Sequence, residues 1–384
     1  MLGIYTGAAF RVVSGDVVAA PNADVEVRYE STGSLVPVSA LFEDVDGETQ
    51  KAANPFQADA NGNYHFYAIG VEEGYRVKST KDGFTFTLRH QHVQSPPPAL
   101  LIDAAITQGR LTGTTGVPVT IADVTAIETI RFTPYKGNQI ALFTGTAWEL
   151  RSFSEITGDV PDATNMYDVF VYDNGGVLAL DIVAWANPTT RATALATQDG
   201  VYVKTGSTGR KYVGSFYCTT AGNGQTEDSR HKRHIWNYYN RVSKSLRRRE
   251  TTESWTYTTQ IWRQANANTA NQVEVAVGVA EDTVSVDLFT AGNNTSTGWF
   301  AVAIALDSIT DPETGQDDNV YAFPWTSGAG ASQTAPLMSK YRGAPAIGRH
   351  YFAWLEISEA SGSTSFNAIA AGSSNMGLLG HCWC

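Results

Sequence analysis

The sequence predicts an all-β protein: a small antiparallel β-sandwich, then a Pro/Gly-rich connection, then a larger jelly-roll-like β-sandwich with one short helix. Three observations predict it. Of 384 residues, 42% are hydrophobic and only 17% charged, with 35 Gly, 17 Tyr and 16 Phe, a composition that favours strands and turns over helices. Short segments alternate with period two between turn residues, at roughly ten-residue spacing. Finally, Ser95-Pro96-Pro97-Pro98 and the later Gly109-Arg110-Leu111-Thr112-Gly113-Thr114-Thr115-Gly116-Val117-Pro118 break the pattern. Consecutive prolines fix φ and remove donors, so 95–120 reads as a linker between a domain at 1–94 and a payload at 121–384.

In the first domain Val25, Val27 and Tyr29 point one way while Glu26, Arg28 and Glu30 point the other. Tyr64, Phe66 and Ala68 repeat the pattern after the Asn61-Gly62 turn, and 75–78 and 84–88 add strands around Lys81-Asp82-Gly83. About seven strands are expected. Asn54-Pro55-Phe56 reads as an exposed loop or an edge, because proline cannot donate to a central ladder. His65, His90 and His92 lack the neighbours of a ligand set and read as ordinary strand residues.

Beyond the linker, 129–132, 139–144 and 147–153 read as successive strands. Asp173-Asn174-Gly175-Gly176 between 166–172 and 177–185 is the strongest hairpin signal in the chain, and 205–210 separates a second pair, 201–204 and 212–218. Val273, Val275, Val277 and Val279 alternate with smaller or polar residues. In 299–307 the large Phe300, Val302, Ile304 and Leu306 lie opposite Trp299, Ala301, Ala303 and Ala305, as expected of a strand between two packed layers. A last strand falls at 350–357, for about ten to twelve in all.

Between Ser229 and Arg249 lie eight cations and no acid: Arg230, Lys232, Arg233, Arg241, Lys244, Arg247, Arg248 and Arg249. Removing those eight from the net charge of −11 leaves −19 on the remainder. On a helical grid Ile235, Tyr238, Tyr239, Val242 and Leu246 form a stripe opposite the cations, which predicts an amphipathic helix docked on a sheet. The segment is the candidate interaction surface. Tracking a nucleic acid is one use of such a pattern and lying on an anionic membrane or lipopolysaccharide another. The third, in which the arginines pair with the acidic body of the same or a neighbouring subunit, suits their fork geometry. The surrounding negative charge argues against nucleic acid. After it, 253–262 reads as a strand.

Catalytic signatures are missing: there is no GxSxG, Walker sequence, HExxH or CxxC, and Gly222-Asn223-Gly224 lacks a strand–helix context. No enzyme, cofactor or metal is expected. Asp311, Glu313, Asp317 and Asp318 fit a solvated turn better than a calcium loop or a glycosidase pair. Cys218 reads as a buried small residue. The terminal His381-Cys382-Trp383-Cys384 offers metal ligands or an intermolecular disulfide, but lacks the second ligand pair of a zinc site and so reads as an ordinary tail. Met1-Leu2-Gly3-Ile4-Tyr5-Thr6-Gly7 has no cationic lead into an apolar stretch, and nothing is long enough to span a membrane as a helix, so neither a secretory leader nor an anchor is expected.

Asp24-Val25-Glu26-Val27-Arg28, then Asn54-Pro55-Phe56-Gln57-Ala58-Asp59-Ala60-Asn61-Gly62-Asn63-Tyr64-His65-Phe66-Tyr67-Ala68, then Gly74-Tyr75-Arg76-Val77 resemble the small transthyretin-like sandwich near the N-terminus of many tailed-bacteriophage tail and fibre proteins. IRFTPYKGNQIALFTGTAWELRSFSE (130–155), YDVFVYDNGGVLALDIVAW (167–185), ATALATQDGVYVKTGSTGRKYVGSFY (192–217) and WNYYNRVSKSLRRRETTESWTYTT (236–259) resemble segments of phage virion proteins. The resemblance implies a virion structural protein on the particle exterior, assembled in the host cytoplasm. It would be attached through its first domain, a homotrimer contacting other virion proteins and a host cell-surface glycan. A tail fibre or spike, a head fibre, collar or decoration protein, and a polysaccharide-cleaving spike are all compatible with it.

Overall fold

The structure, a computed structural model, describes residues 2–93, 103–219, 222, 224–312, 325–326, 334–368 and 376–384. The chain divides into two units, Met1–Leu101 and Ile102–Cys384. Both are β-sandwich structures whose only described helical turns are the three-residue Val38–Ala40 and Ala265–Ala267. The prolines at 96–98, most of the expected linker's first part and the acidic turn beyond Pro312 lie outside the described residues.

In the first unit the strands Phe56–Gln57, Asp24–Tyr29, Tyr75–Lys81 and Phe84–Gln91 lie side by side in that order. Leu2–Ala8 pairs with Asn63–Ile69, and Phe10–Val13 with Asp16–Ala19. Val25, Val27, Tyr64, Phe66, Ala68 and Val77 meet in one core, as their alternation requires. Phe56–Gln57 does sit at an edge, where Pro55 has no ladder bond to break. Asn54 corrects the expectation of an exposed loop. It is buried, accepts the Val27 N–H at 3.0 Å and donates to the carbonyls of Val27 and Val36, both at 2.8 Å. Glu30 is also buried despite its place on the polar face, because Arg89, the His90 N–H and Arg76 enclose its carboxylate.

The second unit contains twenty-five described strands, more than twice the expected number, because many are only two to four residues long. They build two cores that share one sheet. That sheet runs Val177–Ala184, Met166–Asn174, Ser207–Tyr217, Val201–Lys204 and Leu195–Gln198, with Ile235–Asn237 beside Ser207–Tyr217. Tyr167, Val169 and Val171 face a core with Leu111, Phe132 and Ile140. Met166, Phe170 and Tyr212 face the other, with Val275, Val286, Phe300 and Trp354. Cover on both sides explains the nearly unbroken apolar reading of 166–171. The hairpin after it closes as expected: Asn174 stands opposite Val177, and Gly175 and Gly176 have φ of 67° and 95°, the positive values a two-residue primed turn needs.

The larger core lies between the sheet that contains Gln272–Val277, Gly348–Ser358 and Trp299–Leu306, and a sheet ordered Ser243–Arg248, Gly377–Trp383, Val284–Asn294, Thr364–Asn367 and Ser254–Tyr257. Trp299–Leu306 has the expected two covered faces. Phe300, Val302 and Ile304 enter the main core, while Ala303 and Ala305 pack on Ala353 and Leu355 with Trp262 behind.

Two expectations are overturned here. The Gly/Thr run after 108 is not a linker: Gly109–Thr112 is a fully buried strand paired with Thr129–Pro134. Glycine is needed there because a Cβ on Gly109 would fall 2.4 Å from the Phe132 ring. Nor is there a helix at 230–249. The segment forms Lys232–Arg233, Ile235–Asn237 and Ser243–Arg248. Ile235 and Trp236, adjacent in sequence, enter different cores, which only an extended backbone permits, and Asn240 at φ 55° turns the chain. The strand expected over 253–262 is likewise shorter, Ser254–Tyr257, and Ile261 is exposed.

Candidate functional site

The basic segment is organised by a buried carboxylate. Asp228 accepts Nη1 of Arg233 at 2.8 Å and Nζ of Lys244, and all three side chains are at most 9% exposed. Arg233 also donates to the Ser245 carbonyl. These bonds staple the 228–233 turn to Ser243–Arg248, whose Lys244 and Leu246 point inward while Ser243 and Ser245 point outward. A backbone bond from Arg247 N–H to the Arg230 carbonyl, 2.7 Å, extends the junction. The end of the strand, 247–249, is thereby held beside the turn at 230–231.

A concavity of about 350 Å³ opens at this junction. Arg230 and His231 come from the turn, Arg247, Arg248, Arg249 and Thr251 from the strand end, and Asp123 from the segment before Val124–Ile127. Arg230 grips both oxygens of Asp123, with distances of 2.9 to 3.2 Å, and Asp123 also accepts the Arg230 N–H at 2.7 Å. The Arg230 bonds and charge hold the Asp123 carboxyl below its usual range. Arg248 donates through Nε to the Asn271 side chain at 3.3 Å. Burial pulls its guanidinium below the ordinary value, with Glu250 opposing. His231 is held below its usual value by partial removal from water and then by the charge of Arg248, so it is neutral at pH 7.

Glu250 shapes the strand end. It accepts the N–H groups of Thr251 and Thr252 and the amides of Asn268 and Asn271 at 2.7 to 2.9 Å. Burial works to raise its carboxyl, but these bonds prevail and hold it at about 2.

The eight predicted residues therefore divide. Arg233 and Lys244 are structural, Lys232 reaches Glu227 at 3.5 Å and Arg241 clamps Glu281 and Asp282. Arg230, Arg247, Arg248 and Arg249 gather at the concavity. Sequence reasoning missed Asp123, His231 and Thr251. His231 sits between two of the named cations, so proximity alone marks it, whereas Asp123 lies 107 residues from its partner.

Three other carboxylate clusters of the second unit are enclosed. Arg191 holds Asp168 through two bonds of 2.7 and 3.0 Å, and Ser215 donates to Asp168 while sharing a bond with Tyr212. Glu274 is flanked by His234 and Arg349, and Glu356 by Arg263 and the Trp255 indole. Among the described residues no group of three or more His, Cys, Asp and Glu is placed to hold a metal ion. No described helix is long and apolar enough to cross a membrane. Cys218, Cys382 and Cys384 are buried and form no disulfide among the described residues, and the terminal pair packs in the core.

No protein-family model matches the chain and no curated protein matches it. Among solved structures, the mosquito-larvicidal Cry4Aa toxin of Bacillus thuringiensis aligns over 69% of this chain and 50% of its own, at 8% identity and a TM-score of 0.20. A Cry1Da core variant of the same organism aligns over 70% and 53%, at 8% identity and 0.17. The infectious bursal disease virus structure aligns over 74% and 82%, at 10% identity and 0.16. The chain spans about half the length of the two toxins. Scores of this size carry no argument about fold or function.

Proposed function

We propose that the chain is a phage-type virion structural protein, a tail-fibre or spike component. Its Met1–Leu101 unit attaches to the particle, and its Ile102–Cys384 unit meets the host surface as part of a homotrimer on the particle exterior. The observation that carries the reading is the contrast between its charged clusters. The buried carboxylates Asp168, Asp228, Glu274 and Glu356 are all engaged by cations, whereas an open cluster of the second unit is a basic concavity on a β-sandwich. That pattern supports contact rather than turnover, because a general acid or base needs access to its substrate. The sequence resemblance supplies the virion setting.

The test mixes the purified protein with host cells and, separately, with virions lacking it. Binding to cells supports host contact. Binding to virions alone replaces it with a head-fibre, collar or decoration role, and binding to neither removes the proposal. Release of reducing ends from host polysaccharide would make the protein an enzyme instead.

A further inference from the structure

Among the described residues, the one carboxylate that lines the concavity, Asp123, does not serve Arg248 or Arg249. Asp123 is occupied by Arg230, which already contacts both of its oxygens. Neither Arg248 nor Arg249 makes an ion pair among the described residues, Arg248 being held only by the Asn271 amide oxygen. The depressed guanidinium of Arg248 agrees with a charge partly buried and incompletely compensated. The rest of the wall is polar, with Thr251 and the neutral His231.

We propose that this concavity is a binding site for a phosphate monoester group. A single carboxylate is satisfied by one guanidinium fork, as Arg230 and Asp123 demonstrate in place. The two further guanidiniums at the strand end, Arg248 and Arg249, call for an acceptor with more oxygens and more charge than one carboxylate. A phosphate monoester has three terminal oxygens and carries about −1.5 to −2 near neutral pH, and planar forks suit it bidentately. The volume of about 350 Å³ admits a phosphate with a sugar-sized substituent.

A nucleic-acid strand fits less well. Among the described residues no Phe, Tyr or Trp lines the concavity, and stacking platforms are what hold unpaired bases. A backbone track needs charge spread along a surface, yet the chain outside 229–249 carries −19. That acidic body does not bar a single phosphate, since charges in water are screened beyond about 8 Å at physiological ionic strength. The proposal rests on this geometry and stands or falls separately from the virion reading.

Isothermal titration of the full chain with inorganic phosphate, a hexose monophosphate, acetate and a short single-stranded oligonucleotide tests it. Saturable binding of phosphate and hexose monophosphate is expected, with acetate at least tenfold weaker. Arg249→Ala changes an exposed side chain, so it tests binding in a folded protein, and Arg248→Gln tests the partly buried one. Each should weaken phosphate binding about tenfold or more, the loss associated with one charged hydrogen bond. Arg89→Ala, in the basic cluster of the first unit, should leave it unchanged. Tighter binding of the hexose monophosphate than of free phosphate identifies a saccharide source, and equal binding identifies the phosphate group alone as the ligand. The proposal is overturned by absence of saturable phosphate binding, by indifference to Arg249→Ala, by equal affinity for acetate, or by preference for the oligonucleotide.

Discussion

Replacing Lys211 with methionine should remove a rise in stability that the native protein shows between about pH 7 and 10.5. Lys211 is 1% exposed. Its Nζ donates to the carbonyls of Ala104 and Ile106 at 2.6 and 3.0 Å, clasping the first described residues of the second unit, and it lies 5.0 Å from the centre of the Tyr239 ring. Burial pulls the ammonium from its ordinary 10.5 to about 7, with Asp103 opposing only in part. In the unfolded chain the lysine stays protonated until pH 10.5. Across that window the unfolded state therefore binds one more proton than the folded state, and stability increases with pH by about 1.4 kcal/mol per unit. The whole window amounts to about 5 kcal/mol. Below it the cost of burying the charge is fully present. Methionine keeps the length and does not titrate. It leaves the Ala104 and Ile106 carbonyls short of a donor, which costs about 1–3 kcal/mol at every pH, so slopes rather than single values carry the test. Urea unfolding of both proteins at several pH values should give a native curve that climbs relative to the variant. Parallel curves, within about 1 kcal/mol across the window, would falsify the account of Lys211 as a desolvated ammonium.

Three further outcomes follow from the same structure. Asp228→Asn strips Arg233 and Lys244 of their buried counter-charge and should destabilise the second unit by about 3–5 kcal/mol; chemical unfolding with no loss beyond 1 kcal/mol would show that the Asp228 junction does not hold the turn. Gly278→Ala places a methyl 2.3 Å from the Tyr212 hydroxyl and 2.4 Å from the Trp236 ring, so a cost of about 1–3 kcal/mol is expected, and a thermal midpoint equal to the native one would contradict that packing. Glu250 is held at about 2 against an ordinary 4.5, so its contribution is complete above pH 4.5 and lost as pH falls toward 2. Glu250→Gln should therefore show a shallower acid-unfolding profile, and an unchanged profile would sink the assignment.

Much of the fold was legible because its signals are local. Asp173-Asn174-Gly175-Gly176 demands a primed turn whatever surrounds it. The large and small faces of Trp299–Leu306 report its two packed layers from one strand. What misled was information carried by distant partners. Arg110 stands in a run that reads as a linker, yet it is buried and donates to the carbonyls of Pro118, Asn240 and Cys384, the last 274 residues away. The helical stripe through Ile235, Tyr238 and Leu246 was real as a pattern, but tertiary burial of Ile235 and Trp236 in separate cores overrode it. The concavity was half visible. Its arginines stand in one run, while the feature that distinguishes a neutralised run from an open site, the consumption of Asp123 by Arg230, appears only when segments far apart in sequence meet.

The central claim is that one unit attaches to a virion and the other faces outward. Cryo-electron microscopy of the intact particle measures this most directly. The account predicts density for Met1–Leu101 embedded among other virion proteins, with Ile102–Cys384 projecting into solvent around a threefold axis and the Arg230–Arg249 concavity accessible. A particle with Ile102–Cys384 innermost and the first unit free, or a particle without this protein, would contradict it.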